Sequence, residues 1–108
     1  MTLKYIKSDL YRYTGHVSLK TFLKTYFFNR GFNFSFWLRL ASAQSAWAKL
    51  AYPIYYYKKK QYGIDIHTTT QIGYGLFIGH GGPLVVNPTT VIGNNVNLSQ
   101  FTTIGANG

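Results

Sequence analysis

A six-residue repeat in the C-terminal part of the chain constrains its fold more than any other feature. Aliphatic residues recur every six positions in two runs, the first being Ile66, Ile72 and Ile78, and the second Val86, Ile92, Leu98 and Ile104. The two runs are out of phase by two residues, which indicates an insertion in the stretch that holds His80, Gly81, Gly82 and Pro83. A short repeat of this kind is typical of a solenoid, in which each unit packs on its neighbours.

The repeat predicts parallel β-helix coils from Gly63 to Gly105. About three hexapeptides make one triangular coil, and coils stack at the strand spacing of about 4.8 Å. The seven aliphatic residues should point inward, while the fourth residue after each should be small enough for a corner. Thr70, Thr90, Val96 and Thr102 fit that corner position and Leu76 is larger. A plain antiparallel β domain is the weaker alternative, because it would show a period of two.

The N-terminal half differs sharply in composition. All eleven Lys and Arg residues fall between Lys4 and Lys60, and of the aromatic residues only Tyr74, Phe77 and Phe101 lie beyond Tyr62. We therefore predict an α+β chain with a helical, basic, aromatic-rich region at 1–62 and an incomplete β-helix at 63–108.

Helical spacing of apolar residues predicts two helices between residues 18 and 50. Ser18 should cap the first, which should end at Asn29, Arg30 and Gly31, with Gly31 in a left-handed conformation. The second should run from about Phe34 to Lys49, and Pro53 should kink or end it. Its predicted buried stripe consists of Phe36, Trp37, Leu40, Trp47 and Leu50.

Charge leaves three interpretations of the basic half, whose lysines and arginines give the chain a net charge of +9. We favour aromatic side chains in the core with solvated lysines. Peripheral contact of Tyr55–Lys60 with a membrane surface is the second interpretation. Nucleic acid is not expected as a partner, because no recognised motif is present and charge alone is weak support.

The cysteine count and the lengths of the apolar runs bear on disulfides, metal sites and cellular location. The chain has no cysteine, which excludes disulfides and thiolate metal sites. Residues 1–10 lack the apolar core of a signal peptide, and no uncharged apolar run reaches the roughly 18 residues of a membrane span. These features predict a cytoplasmic protein.

Particular motifs point to a family. The segments Ile64-Asp65-Ile66-His67 and Ile72–Gly81, followed by Val91–Val96 and 99–105, resemble serine acetyltransferases and related polysaccharide O-acetyltransferases, as does the Asp9-Leu10 helix. The resemblance covers most of the chain. It implies a left-handed parallel β-helix, acetyl-CoA as co-substrate, a hydroxyl acceptor and a homotrimer.

The resemblance also implies a catalytic pair. His80 takes the position of the family's general base, and Asp65 that of the aspartate that pairs with it. A hydroxyl is a poor nucleophile at neutral pH, so a base must remove its proton during attack on the thioester. A carboxylate on the other ring nitrogen fixes the tautomer and stabilises the imidazolium. Asp65 is the only acid after Gln61. In the alternative interpretation, His80 is a turn histidine and Asp65 a cap or turn acid.

The other histidines suggest no metal site. His67 is interpreted as a surface residue. A zinc site built on His67 and His80 would need a third histidine, and His16 lies in the helical half.

The sequence departs from the family at two points, which bear on the expected acceptor and on the expected activity. An acid usually precedes the base histidine, whereas this chain has Gly79, which favours a sugar acceptor over L-serine. The family also has further coils and a second active-site histidine, whereas this sequence stops at Gly108 after a little over two coils. We therefore expect an inactive, truncated O-acetyltransferase whose CoA-binding residues lie beyond Gly108. The alternative is a non-catalytic β-helix module for assembly or membrane docking.

Overall fold

The described part of the chain begins with helices and continues as short strands. The computed structural model describes residues 2–43, 46–78, 84–86, 90–98 and 102–104. The helices are α1 (Thr2–Thr14), α2 (Leu19–Phe28), α3 (Arg30–Ala41) and α4 (Ala46–Tyr62). The strands are β1 (Ile64–Ile66), β2 (Gln71–Ile72), β3 (Phe77–Ile78), β4 (Leu84–Val86), β5 (Val91–Ile92), β6 (Asn97–Leu98) and β7 (Thr102–Ile104). The prediction of a helical segment followed by parallel strands is confirmed.

The strands form three parallel ladders, in the orders β1-β4-β7, β2-β5 and β3-β6. This is the arrangement of stacked coils. Ile66 pairs with Val86, twenty residues later, whereas Val86 pairs with Ile104, eighteen residues later. Since Ile78 pairs with Leu98, also twenty residues later, the two extra residues lie between Ile78 and Val86. The predicted insertion is therefore confirmed.

Most of the predicted inward positions are buried. Ile66, Ile78, Val86, Ile92 and Leu98 are buried and Ile72 is half-buried, while the side chain of Ile104 lies outside the described residues. The prediction missed three further buried residues, namely Ile64, Leu76 and Leu84. The larger corner residue Leu76 is accommodated, because helix residues cover the coil at that point.

The helix boundaries differ from the prediction. Ser18 caps α2 as expected, accepting a hydrogen bond from the Thr21 N–H at 3.1 Å. The helix ends at Asn29, within the predicted stretch, but the left-handed conformation predicted for Gly31 is wrong. Asn29 is extended and serves both helices, and its Oδ1 caps α3 by accepting from the Phe32 N–H. Gly31 consequently lies in the first turn of α3.

The predicted second helix at 34–49 is also wrong, since α3 ends at Ala41 and α4 runs through Pro53 to Tyr62. A proline in a helix interior costs about 3 kcal/mol relative to alanine. Ala51 and Tyr55 are buried against the coils on either side of Pro53. This packing holds α4 together across the proline.

The predicted buried stripe is confirmed only in part. Phe36, Trp37 and Leu40 are partly buried, but Leu50 is 68% exposed. The side chain of Trp47 lies outside the described residues.

Helices and coils share one core. Phe34, Leu38, Ala41, Ala51 and Tyr55 pack together with the inward residues of the coils. A second cluster joins α1, α2 and α3 through Ile6, Leu10 and Phe32. The interpretation of the aromatics as core thus holds for Phe32, Phe34 and Tyr55.

Other aromatic side chains of the helical half are exposed to solvent. Phe27 and Phe28 are largely exposed, as are Tyr56 and Tyr57 beside the lysines of α4. Within the described part of the chain, no helix is both long enough and apolar enough to cross a membrane.

Candidate active site

Asp65 lies on the outer face of the first strand. Side chains alternate along a strand, so Ile64 and Ile66 point inward and Asp65 points outward. Its side chain is 55% exposed, and Oδ1 lies 3.2 Å from the Nζ of Lys59, near the end of α4. The carboxylate therefore sits on an open surface, at the junction between helix and coil.

The strand that follows the insertion, β4, pairs with the strand that carries Asp65. The insertion connects Ile78 at the end of β3 with Leu84 at the start of β4, and Leu84 pairs with Ile64 beside Asp65. Val85, the register partner of Asp65, is partly exposed on the same outer face. Gly79 and His80 lie outside the described residues, so the Asp65–His80 pair stays a prediction.

His67 is held by its own turn. Its Nδ1 accepts the Thr69 N–H at 3.2 Å and lies 2.9 Å from Thr69 Oγ1. An accepting Nδ1 places the proton of the neutral ring on Nε2. These contacts agree with a structural role for His67. No group of three or more metal-ligating side chains occurs among the described residues.

Ile78, the last described residue before the insertion, is held from the helical side. The Tyr13 hydroxyl donates to the Ile78 carbonyl at 3.0 Å and accepts from the Ile78 N–H at 2.8 Å. Burial raises the pKa of Tyr13 well above its usual range. Gly31 passes so close that an added Cβ would lie 2.1 Å from the Ile78 carbonyl oxygen. The entry to the insertion is thus anchored by α1 and α3.

A buried ion pair holds the neighbouring corner. Arg39 contacts both carboxylate oxygens of Asp9, with its Nε 2.8 Å from Oδ2 and its Nη2 2.9 Å from Oδ1. Arg39 also donates to the carbonyls of Ile72 and Gly73, and Asp9 Oδ1 accepts the Leu76 N–H at 2.7 Å. Because both charges are buried and multiply hydrogen-bonded, Asp9 is a structural acid in this chain.

Further contacts complete the pattern. Ser8 Oγ accepts the Gly75 N–H, Arg12 donates to the Gly75 carbonyl, and the Tyr55 hydroxyl donates to the Ile66 carbonyl. The first coil has no earlier coil to satisfy its backbone groups, and orphaned buried groups are costly. Helix side chains supply the missing partners. We refer to them as the end cap, which consists of Ser8, Asp9, Arg12, Tyr13, Arg39 and Tyr55.

Sequence reasoning did not identify the end cap. The one available signal was that Asp9 is one of only two acids in the chain. Tyr55 belongs to the cap, so the predicted membrane contact of the whole segment Tyr55–Lys60 is wrong for this residue, which is 1% exposed.

Comparison with known proteins bears on the family. No protein-family model matches the chain. It is 37% identical to the serine acetyltransferase of Staphylococcus xylosus over an aligned stretch of 83 positions that covers 63% of this chain and 38% of that protein. It superposes on the crystal structure of Neisseria gonorrhoeae serine acetyltransferase with a TM-score of 0.73 and 25% identity, covering 99% of this chain and 44% of that one. The resemblance to serine acetyltransferases is confirmed.

A third comparison supports the fold alone. A serine acetyltransferase solved in complex with CoA superposes with a TM-score of 0.66 at 23% identity, covering 94% of this chain and 45% of that one. The chain spans less than half the length of the relatives it matches.

Proposed function

We propose that this chain forms part of an acetyl-CoA-dependent O-acetyltransferase in which His80 is the general base and Asp65 orients it. One observation carries the proposal. The register of the described strands is interrupted once, between Ile78 and Leu84, and Leu84 begins the strand that pairs with β1, from which Asp65 points outward. A residue released from a regular coil can reach a substrate, whereas inward residues are committed to packing.

The proposed reaction balances simply. His80 accepts the proton of the acceptor hydroxyl as the oxygen attacks the acetyl carbonyl carbon. The new C–O bond forms, the C–S bond breaks, and the CoA thiolate leaves and takes up the proton. The products are the acetyl ester and CoA thiol. Acetyl-CoA as co-substrate is supported by the similarity to serine acetyltransferases.

Asp65 can serve this role while it contacts Lys59. Lys59 Nζ approaches Oδ1, and a carboxylate has a second oxygen that can accept the ring N–H of His80. The outward position of Asp65 on β1 leaves its side chain 55% exposed, as the proposed contact with His80 requires.

The acceptor is proposed to be a hydroxyl compound. The named relatives favour L-serine. Gly79 favours an acceptor without an ammonium group, such as a sugar in polysaccharide synthesis, because glycine offers no carboxylate to hold that group.

Assembly and location complete the proposal. Similarity to the family supports left-handed coils, a division into residues 1–62 and 63–108, a cytoplasmic location and a homotrimer. A closed ring of heterologous contacts is the matching symmetry for three copies. Light scattering of the full-length gene product measures this directly, and a monomer would contradict it.

The catalytic proposal is tested in the full-length gene product that contains this sequence, by following CoA thiol release. His80→Ala should lower acetyl transfer by about 10²–10⁴-fold, the usual contribution of a general base. Asp65→Asn should reduce it less, because the base remains. His67→Ala is the matched control and should stay near the wild-type rate, since His67 contacts its own turn.

Three outcomes would decide against parts of the proposal. Near-full activity of His80→Ala would remove His80 as the base. Higher activity with L-serine than with any sugar would remove the inference from Gly79 but keep acetyl transfer. No thiol release with any hydroxyl would favour a non-catalytic assembly module.

A further inference from the structure

Helix α2 carries an apolar stripe that no described residue covers. Leu19, Leu23 and Phe27 recur at every fourth position and are 74%, 46% and 71% exposed, and Phe28 is 84% exposed. The other side of α2 packs on α3, where Thr25 is buried. Exposed apolar surface gathered in one place usually marks an interaction site.

The stripe continues beyond the N-terminal end of the helix. At the start of α2, Leu19 lines an apolar cavity of about 420 Å³ together with Leu3 and Val17. At the other end, Phe27 and Phe28 line a cavity of about 460 Å³ whose other lining residues are mostly polar. The exposed apolar surface therefore reaches beyond α2 to the start of α1.

Cations flank this surface throughout. Lys20 and Lys24 directly follow Leu19 and Leu23 on the exposed side of α2. Lys7 lines the first cavity, and Arg30 and Lys58 line the second.

No acid compensates these charges. The chain contains two acids in all. Asp9 is buried against Arg39, and Asp65 contacts Lys59. The electrostatic potential at the exposed surface of α2 is consequently positive.

We propose that the α2 face, defined by Leu19, Lys20, Leu23, Lys24, Phe27 and Phe28, docks on an anionic lipid surface. Large apolar side chains beside lysines, without acids, are typical of helices that lie in a membrane interface. A second copy of this chain is a poorer occupant, because facing copies would bring two sets of cations together. The proposal does not depend on the acetyl-transfer chemistry.

Vesicle co-sedimentation of the 108-residue chain tests the proposal. The chain should bind vesicles of phosphatidylcholine that contain phosphatidylglycerol and bind pure phosphatidylcholine weakly. Salt at about 1 M should release it, because the Debye length falls to about 3 Å. Lys20→Gln and Lys24→Gln should each lower the partition coefficient about fivefold. The double variant Phe27→Ser/Phe28→Ser should lower it at least about tenfold, through lost apolar burial.

Matched controls come from exposed residues away from α2. Lys49→Gln on α4 and Val91→Ser on β5 change an exposed cation and an exposed aliphatic residue, and both should bind like wild type. Circular dichroism verifies that each variant keeps the helix content of wild type. The lysine variants change solvated groups, so they remain informative even if the phenylalanine variant does not fold.

Three results would each overturn the proposal. The first is equal binding to both vesicle types, and the second is equal weakening of binding by the test and control variants. The third is lipid-independent self-association in light scattering that Phe27→Ser/Phe28→Ser abolishes, because the α2 face would then be an interface between copies.

Discussion

Gly31→Ala tests whether close approach of α3 to Ile78 holds the first coil. The added Cβ would lie 2.1 Å from the Ile78 carbonyl oxygen and 2.8 Å from the Tyr13 hydroxyl. Ordinary carbon contacts lie near 3.5 Å, so α3 or β3 must retreat by about 1 Å. Such overpacking costs about 1–3 kcal/mol. Weakening the hydrogen bonds between Tyr13 and Ile78 adds about 1 kcal/mol each.

Helix propensity opposes this loss, because alanine is favoured over glycine by up to about 1 kcal/mol in a helix. The net prediction is a loss of about 2–4 kcal/mol of unfolding free energy. In urea, a slope of about 2 kcal/mol/M, the middle of the usual range, converts this loss into a fall of about 1–2 M in the unfolding midpoint.

Gly93→Ala is the control for the same chemical change. A Cβ at Gly93 meets nothing within 4 Å, so its unfolding free energy should change by less than about 0.5 kcal/mol. The measurement is urea unfolding followed by far-ultraviolet circular dichroism. A Gly31→Ala variant as stable as wild type, or more stable, would refute the close-approach argument.

Four further predictions concern the end cap and α4. Asp9→Asn should cost about 3–5 kcal/mol, because it leaves the buried Arg39 charge without its carboxylate; urea unfolding would show this, and a loss below about 1 kcal/mol would contradict a buried pair. Pro53→Ala should raise the melting temperature, since it restores a helix donor and removes a helix cost of up to about 3 kcal/mol; an unchanged or lower value would contradict the interior placement. Lys59→Gln should change stability by no more than about 1 kcal/mol, because its ion pair is partly exposed. Burial raises the pKa of Tyr55 above its usual range, so the folded state favours the neutral hydroxyl. The free energy of unfolding should therefore fall as pH rises above about 10, where tyrosine in the unfolded chain ionises. Tyr55→Phe should make the urea midpoint lower at neutral pH but less dependent on pH above about 10.

The coil could be predicted from sequence because its constraint is local and repeated. The narrow interior requires an aliphatic side chain at one position in six. The spacing of Ile66, Ile72 and Ile78 therefore predicts the strands that contain them. The two-residue shift of the repeat between Ile78 and Val86 predicted the insertion. Neither inference needed knowledge of the helices.

The helical half could not be predicted as well, because tertiary packing determines its boundaries. Aromatic residues are so frequent there that several helical stripes fit equally well. One residue, Asn29, caps two helices, and Pro53 stays within α4 because its neighbours are buried. The Asp9–Arg39 pair joins residues thirty positions apart, a separation that no local pattern reveals.

For the candidate site, the outward position of Asp65 follows from alternation, because Asp65 directly precedes the predicted inward residue Ile66. The support of Ile78 does not, since it comes from Tyr13 and Gly31 on different helices. Sequence therefore indicated the chemical groups, while the groups that position them emerged only from the packing.

The end cap joins the two halves of the chain through hydrogen bonds between the helices and the first coil. A β-helix coil gains its backbone partners from the coils beside it, and the first coil has such a neighbour on one side only. The helices supply the other side at the corner held by Asp9 and at Ile78. Ile78 directly precedes the insertion that carries His80 in the sequence, and the helices hold Ile78 through Tyr13. Residues 1–62 are therefore not merely a separate basic domain, because they supply hydrogen-bond partners to the first coil.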